Sequence, residues 1–379
     1  MTMVISKPDT HRKLQILSED ARYDLACACG SSKDQHRTQG RDGKWIYPVT
    51  LPNGGQSILF KTLYSNMCAN DCSYCPLRAE NDIRRCSLTP EQTAEVFLDY
   101  YRRKKVFGLF LSSGVIRTPD NTMQHLSDAA EILRKKRGFK GFIHLKIIPG
   151  CSNAAIEKAV SLASAVSLNI ETPGENNLRK LSAKKDYIRD IIKPLKLISA
   201  LTAKGSRYER VRKSTQFIVG AAGETDREIV KYTAALYKRL AMNRVYFSAY
   251  QKGLGRGALE VEKMPPKGTK DSFTREHRLY QVDFLLRRYG FNETEILFDD
   301  QGRLSLQLDP KELWAQNHPE FFPVCVNKAD KYRLLRVPGL GPITVEKILK
   351  IRKTSRICGW NTFGRFNSRL EKTAKYVTF

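Results

Sequence analysis

The 379-residue chain has no apolar run near the roughly 20 residues that a membrane helix needs. Its first residues, Met1 to Lys7, lack the apolar core of a secretory signal. The protein is therefore expected to be soluble and cytoplasmic, with no membrane partner. Acidic residues are in short supply: 39 Asp and Glu face 65 Lys and Arg, a formal net charge of +26. Such a surplus attracts polyanions by charge neutralisation and counterion release. A merely solvated basic surface carries the same charge, so the surplus points to nucleic acid only beside a motif. A disulfide framework is also unsupported, because the nine cysteines are odd in number and no export signal precedes them. Reduced thiols suit metal-cluster ligation instead. No internal repeat or low-complexity tract is present.

Short apolar segments, β-branched or aromatic in part, predict strands at Ile58–Leu63, Phe107–Leu111, Phe142–Ile148, Ala165–Ile170, Thr215–Val219 and Val245–Tyr250. Amphipathic segments lie between them. Thr89-Pro90-Glu91-Gln92 reads as an N-cap, a first-position proline and an acidic first turn. Pro119-Asp120 opens a second helix, and Asn153–Leu162, Ile188–Ala203 and Asp226–Leu240 supply three more. Six βα units in a row predict an α/β protein with a parallel sheet and outer helices. Periodicity does not say whether that sheet closes. The expected domains are an N-terminal extension at 1–50, the βα barrel at 51–265, a connector at 266–325 with a helix over Arg275–Tyr289, and a basic module at 326–379.

Cys68, Cys72 and Cys75 follow the first strand with C-x3-C-x2-C spacing. Full ligation of a four-iron cluster takes four cysteines, and a closed zinc site takes four ligands. Three thiolates leave one iron open to a substrate or cofactor. A zinc site or structural cysteines remain the alternatives. Loops after strand C-termini are where active-site groups belong in this architecture.

The segment Cys68-x3-Cys72-x-Tyr74-Cys75 resembles the radical S-adenosylmethionine (SAM) superfamily. The resemblance implies a partial (βα)6 barrel whose three cysteines hold a [4Fe-4S] cluster. It implies that the open iron chelates SAM and that reductive cleavage yields a 5′-deoxyadenosyl radical. A reductant such as flavodoxin or ferredoxin would supply the electron. Tyr74 would adjoin the cofactor. Ser112-Ser113-Gly114 stands where the family often has Gly-Gly-Glu for the methionyl amine, but this chain has no acidic residue there. Ser167, Asn169 and Glu171 alternate at the end of the fourth strand, and Asn169 and Glu171 are SAM candidates. Val219 and Gly220 match the adenine-contact strand. His144 and Lys146 alternate on the third strand and face inward as candidate catalytic groups, or else are satisfied core residues. Cys27 is a further candidate; Cys27 and Cys29 fit no usual metal pair and read equally as small buried hydrophobes.

Leu334 to Arg352 resembles a helix-hairpin-helix motif, a small all-α module. Its Pro338-Gly339-Leu340-Gly341 turn leads into a second helix, whose N-terminal N–H groups suit phosphate. Gly339, Gly341, Thr344, Lys347, Lys350 and Arg352 are the nucleic-acid candidates. The last 54 residues carry 13 Lys and Arg against 3 Asp and Glu. Triad, hairpin and the segment Ala21 to Cys27 together resemble the putative DNA modification and repair radical SAM family. That likeness implies DNA as substrate and a uracil-DNA-glycosylase-like protein partner. An RNA-modifying enzyme and a non-catalytic iron–sulfur nucleic-acid-binding or redox-sensing protein are the alternatives.

Overall fold

A computed structural model of the chain describes residues 8–21, 46–50, 56–255, 257, 259, 262, 269–360 and 368–379. Cys27, Cys29 and most of the expected N-terminal extension lie outside the described residues. The chain divides into two compact units. One comprises residues 1–224 and 235–269, the other 225–234 and 270–379.

The first unit is a seven-stranded sheet whose strands stand in chain order. Strand β1 (Ile46–Thr50) pairs antiparallel with β2 (Gln56–Leu63) and was not foreseen in the sequence. The six strands from β2 onward run parallel: β3 (Gly108–Ser112), β4 (Phe142–Lys146), β5 (Ala165–Ser167), β6 (Arg212–Val219) and β7 (Arg244–Ala249). They form a curled half-barrel, so the sheet is partial rather than closed. A short helix, α1 (Thr10–Asp20), precedes it.

Helices α2 (Pro90–Arg102), α3 (Pro119–Glu131), α4 (Asn153–Leu162), α5 (Glu175–Leu181), α6 (Lys193–Leu201) and α7 (Asp226–Leu240) connect the parallel strands. Their starts follow local chemistry. Thr89 and Gln92 form a reciprocal capping box on α2, and Thr118 and Ser152 cap α3 and α4. The helix expected over Ile188–Ala203 begins instead as a widened turn over Tyr187–Ile192. Pro194 has no N–H to donate, so it is accommodated in the first turn of α6.

One face of the sheet packs on helices. Phe60 meets Phe97 and Tyr100 of α2, and Lys213 bonds Ser199 and Thr202 beside α6. Alternation therefore turns Lys61, Phe110, His144, Gln216 and Tyr246 to the concave side. Register puts Lys61, Phe110 and His144 in one row across three strands.

The second unit holds helices α8 (Thr269–Arg288), α9 (Pro310–Gln316), α10 (Lys331–Arg336), α11 (Pro342–Ile351) and α12 (Ser368–Ala374). It also holds a small parallel pair, β8 (Val324–Cys325) with β9 (Val377–Thr378). Helix α8 is longer than the expected Arg275–Tyr289. Leu334, Leu335, Val337, Leu340, Val345 and Ile348 join the core of this unit. Among the described residues, no helix is long and apolar enough to cross a membrane.

Candidate active site

Strand β2 delivers the chain into the loop that carries the triad. That loop is fastened at its base to β3. Tyr64 donates its N–H to Ser112 at 2.7 Å, Gly114 to Ser65 at 2.7 Å, and Ala69 to Val115 at 2.8 Å. Gly114 is a packing glycine: a Cβ there would lie 2.3 Å from the Met67 carbonyl oxygen and 3.1 Å from Cys68 Cβ. Ser113 Oγ donates to Gly114 O at 2.7 Å, and its 3.4 Å approach to Ser65 O is longer. Ser112, Ser113 and Gly114 thus stand directly beside the triad loop.

Inside the loop, Cys75 N–H donates to Cys72 O at 2.9 Å, and Ala79 N–H to Asn70 O at 2.9 Å. Arg85 gathers four carbonyls, those of Asn66, Leu77, Arg78 and Asn81, at 2.5–2.9 Å. Asn66, fully buried, donates to Asp20 and Arg84 O and accepts from Cys86 N–H. A loop with so many internal donors keeps its shape without a sheet around it.

A second segment, Leu181 to Lys185, grips the same loop from the far side. Ser73 N–H donates to Leu181 O at 2.7 Å. Asp71 accepts from Ser182 Oγ at 2.5 Å and Ala183 N–H at 2.9 Å. Lys184 Nζ donates to Ala69 O at 2.7 Å. Burial works against the Asp71 carboxylate, yet Ser182, Ala183 and Lys184 hold its pKa below the usual value. Lys185 reaches inward. Its Nζ lies 3.4 Å from Glu171 Oε1 and 5.9 Å from the centre of the Tyr74 ring.

The three sulfurs are free thiols. Burial pushes the Cys72 thiol up, and Lys185 works the other way. Burial and the neighbouring Cys72 push Cys75 up further. Burial, then Glu171, raises Tyr74 well above an ordinary phenol. Burial opposes the Lys185 ammonium, but Cys72 and Glu171 hold its pKa above that of a free lysine. Thiols in such a place ionise when a metal binds them and offsets their charge. Among the described residues, no three His, Cys, Asp or Glu side chains converge on a single-ion site. Thiolate sulfur is the donor that iron–sulfur clusters take. Three sulfurs on one braced loop therefore fit a [4Fe-4S] cluster held by Cys68, Cys72 and Cys75.

The other predicted residues lie on the parallel strands or just past their C-terminal ends. Strand β5 ends at Ser167, three residues earlier than expected, so Ser167, Asn169 and Glu171 do not share one extended face. Glu171 adopts φ +64° and inserts its peptide beside β6, accepting from Ile218 N–H at 2.7 Å and donating to Gln216 O at 3.0 Å. Asn169 Nδ2 nonetheless lies 3.4 Å from Glu171 Oε2. Val219 accepts from Tyr250 N–H at 2.8 Å. Gly220, at φ +91°, donates to the buried Glu224, which also accepts from Ala222 N–H at 3.1 Å. His144 Nε2 lies 2.9 Å from Ser167 Oγ, and its ring meets Phe110 edge-on. Lys146, also concave-facing, is buried. Lys185, Asp71, Arg85 and Glu224 carry the geometry of the site and were not singled out in the sequence. The adjacent Lys184-Lys185 pair was the one available signal, and it is lost among 65 basic residues.

Residues 62–236 match the family model of the radical SAM superfamily. The match contains all three cysteines, the Glu171 turn, Lys185 and the Gly220 turn. Residues 62–236 are a radical SAM domain. The cofactors of that domain are a [4Fe-4S] cluster and SAM, and it is the domain of radical SAM enzymes. No curated protein matches the chain. Among solved structures, the FeFe-hydrogenase maturase HydG from Carboxydothermus hydrogenoformans is similar at 15% identity, with a TM-score of 0.47 over 60% of this chain and 51% of that one. Methylornithine synthase (PylB) is similar at 16% identity, with a TM-score of 0.45 over 60% and 63%. Streptococcus suis SuiB is similar at 13%, with 0.44 over 61% and 46%. The chain spans about half the length of the hydrogenase maturase.

In the second unit, α10 and α11 are joined by the turn Val337 to Gly341, with Gly339 at φ +82°. The turn's carbonyls face inward. Lys311, buried, donates to Leu335 O at 3.0 Å and Leu340 O at 2.6 Å, and Thr373 Oγ1 donates to Pro338 O at 3.0 Å. Gly341 caps α11, so Thr344 and Lys347 lie on its first turns. Lys350 and Arg352 stand at the opposite end. Arg352 donates to Val326 O and Ala329 O, so it is tied to backbone rather than grouped with the turn.

Proposed function

We propose that this protein is a radical SAM enzyme that acts on nucleic acid, with DNA as the favoured substrate. The observation that carries the radical reading is the braced cysteine triad within the matched domain. Bound there, the cluster and SAM supply one-electron reductive cleavage and a carbon-centred radical. The chain's own residues hold and enclose that chemistry. Tyr74, Asn169, Glu171, Ser112, Ser113, Val219 and Gly220 would form the rim on which SAM lies. His144 and Lys146 stand deeper on the concave face, towards the substrate. The electron would come from a low-potential carrier such as flavodoxin or ferredoxin, in a cytoplasmic setting.

The nucleic-acid part rests on the C-terminal charge and on the turn into α11. With its carbonyls held inward by Lys311 and Thr373, the turn from Val337 to Gly341 can offer N–H groups outward, as in a helix-hairpin-helix. Such a grip reads backbone and carries no base code. A base in duplex would have to be unstacked to reach the concave face. A uracil-DNA-glycosylase-like protein would be a fitting partner. To test the reading, the full chain is reconstituted anaerobically with iron and sulfide, reduced, and given SAM with and without DNA. The expected result is 5′-deoxyadenosine, and more of it with DNA. An intact cluster that yields none would refute the enzymatic reading. Binding to folded RNA but not to DNA, compared across a salt series, would move the substrate to RNA.

A further inference from the structure

Lys185 is a buried cation beside the triad loop, and rim residues alone do not account for it. Its side chain is 7% exposed, and that of its partner Glu171 is 6% exposed. The 3.4 Å between Nζ and Oε1 is long for a charge-assisted hydrogen bond, which runs at about 2.7–2.9 Å. The ammonium also lies over the ring of Tyr74, next to Cys75 in the chain, and its charge favours the ionised forms of Cys72 and Cys75. Among the charged side chains that act on Cys72, Lys185 is the cation and Glu171 the carboxylate. Its position is not adventitious. The segment Leu181 to Lys185 is bonded to the triad loop through Ser73, Asp71 and Ala69, which fixes the Lys185 backbone against the cysteines.

We propose that Lys185 raises the reduction potential of the cluster held by Cys68, Cys72 and Cys75, and that Glu171 opposes it. The physical basis is simple. Reduction adds one negative charge to an already anionic thiolate-bound cluster. A nearby fixed cation, or a hydrogen bond to a ligating sulfur, stabilises the reduced form, and a nearby carboxylate destabilises it. Water and salt screen this buried pair far less than they screen surface charges. Lys185 is a positioning and tuning residue here; it need not touch substrate. The inference rests on the triad holding a [4Fe-4S] cluster, as the functional reading also requires.

The test is a redox titration of the anaerobically reconstituted full chain without SAM, followed by electron paramagnetic resonance of the reduced cluster. Lys185→Met should make reduction at least tenfold less favourable, about 59 mV lower for a one-electron couple. Lys185→Arg should restore most of the loss, and Glu171→Gln should shift the midpoint in the opposite direction. A merely structural pair would not give opposite signs from its two halves. Wild-type midpoints in both Lys185→Met and Glu171→Gln, with full iron content, would overturn the proposal. So would an unchanged midpoint with weakened SAM binding, which would assign Lys185 to SAM instead. A wild-type chain that holds no reducible cluster would overturn this proposal and the radical SAM reading together.

Discussion

Replacing Gly114 by alanine isolates one contact between β3 and the triad loop. The backbone at Gly114 does not need a positive φ, so alanine is not excluded by conformation. The damage would be steric. The new Cβ would stand 2.3 Å from Met67 O, whereas carbon–oxygen contacts settle near 3.3 Å or more. The Met67 carbonyl must therefore retreat by about 1 Å. The retreat pulls on the Gly114–Ser65 and Ala69–Val115 bonds, now 2.7 and 2.8 Å, and takes them beyond hydrogen-bonding length. Two such bonds at about 1 kcal/mol each, plus overpacking at about 1–3 kcal/mol, give a loss of roughly 3–5 kcal/mol. For a unit of this size that lowers the melting temperature by roughly 6–20 °C. Cys68, whose Cβ stands 3.1 Å from the new methyl, moves with the loop, so iron loading falls as well. Thermal melts and iron analysis of Gly114→Ala against wild type measure both effects. A variant that melts within about 1 °C of wild type and loads the same iron would refute the reasoning.

Three other outcomes are expected. Arg85→Lys should loosen the triad loop by roughly 2 kcal/mol, because one ammonium cannot span the four carbonyls that the guanidinium gathers; slower cluster retention on chelator challenge would report it. Lys311→Met should strip the hydrogen bonds from the Leu335 and Leu340 carbonyls, at about 1–3 kcal/mol each, and hydrogen exchange across residues 331–351 should quicken. Burial, then Arg278, lowers the pKa of His277 below the ordinary imidazole value. The unfolded chain then binds the extra proton first, so stability is full above about pH 6.5 and falls as pH drops through that value. Denaturant melts should show this acid loss in wild type and a flatter profile in His277→Gln.

The sequence alone determined the order of the βα units, because strand and helix periodicities and N-caps such as Thr89 are local properties. It also picked out the cysteine triad, since three ligands within eight residues need only a loop to bring them together. It named Asn169, Glu171, Val219 and Gly220 as candidate cofactor contacts. It did not foresee that β5 stops at Ser167, because the positive φ of Glu171 is stabilised by the peptides of β6, some 45 residues further on. The antiparallel β1 and the inward carbonyls of the C-terminal turn were likewise decided in three dimensions, whereas the partial barrel was already implied by the resemblance that the triad carries. Lys185 is the clearest case. In sequence it is one basic residue among 65 and about 110 residues from Cys72. Only the fold, by bonding Leu181 to Lys184 onto the triad loop, sets its ammonium over the Tyr74 ring and beside the Glu171 carboxylate. Short-range propensities are written in neighbouring residues, whereas a buried charge acquires its meaning from the groups that tertiary packing places around it.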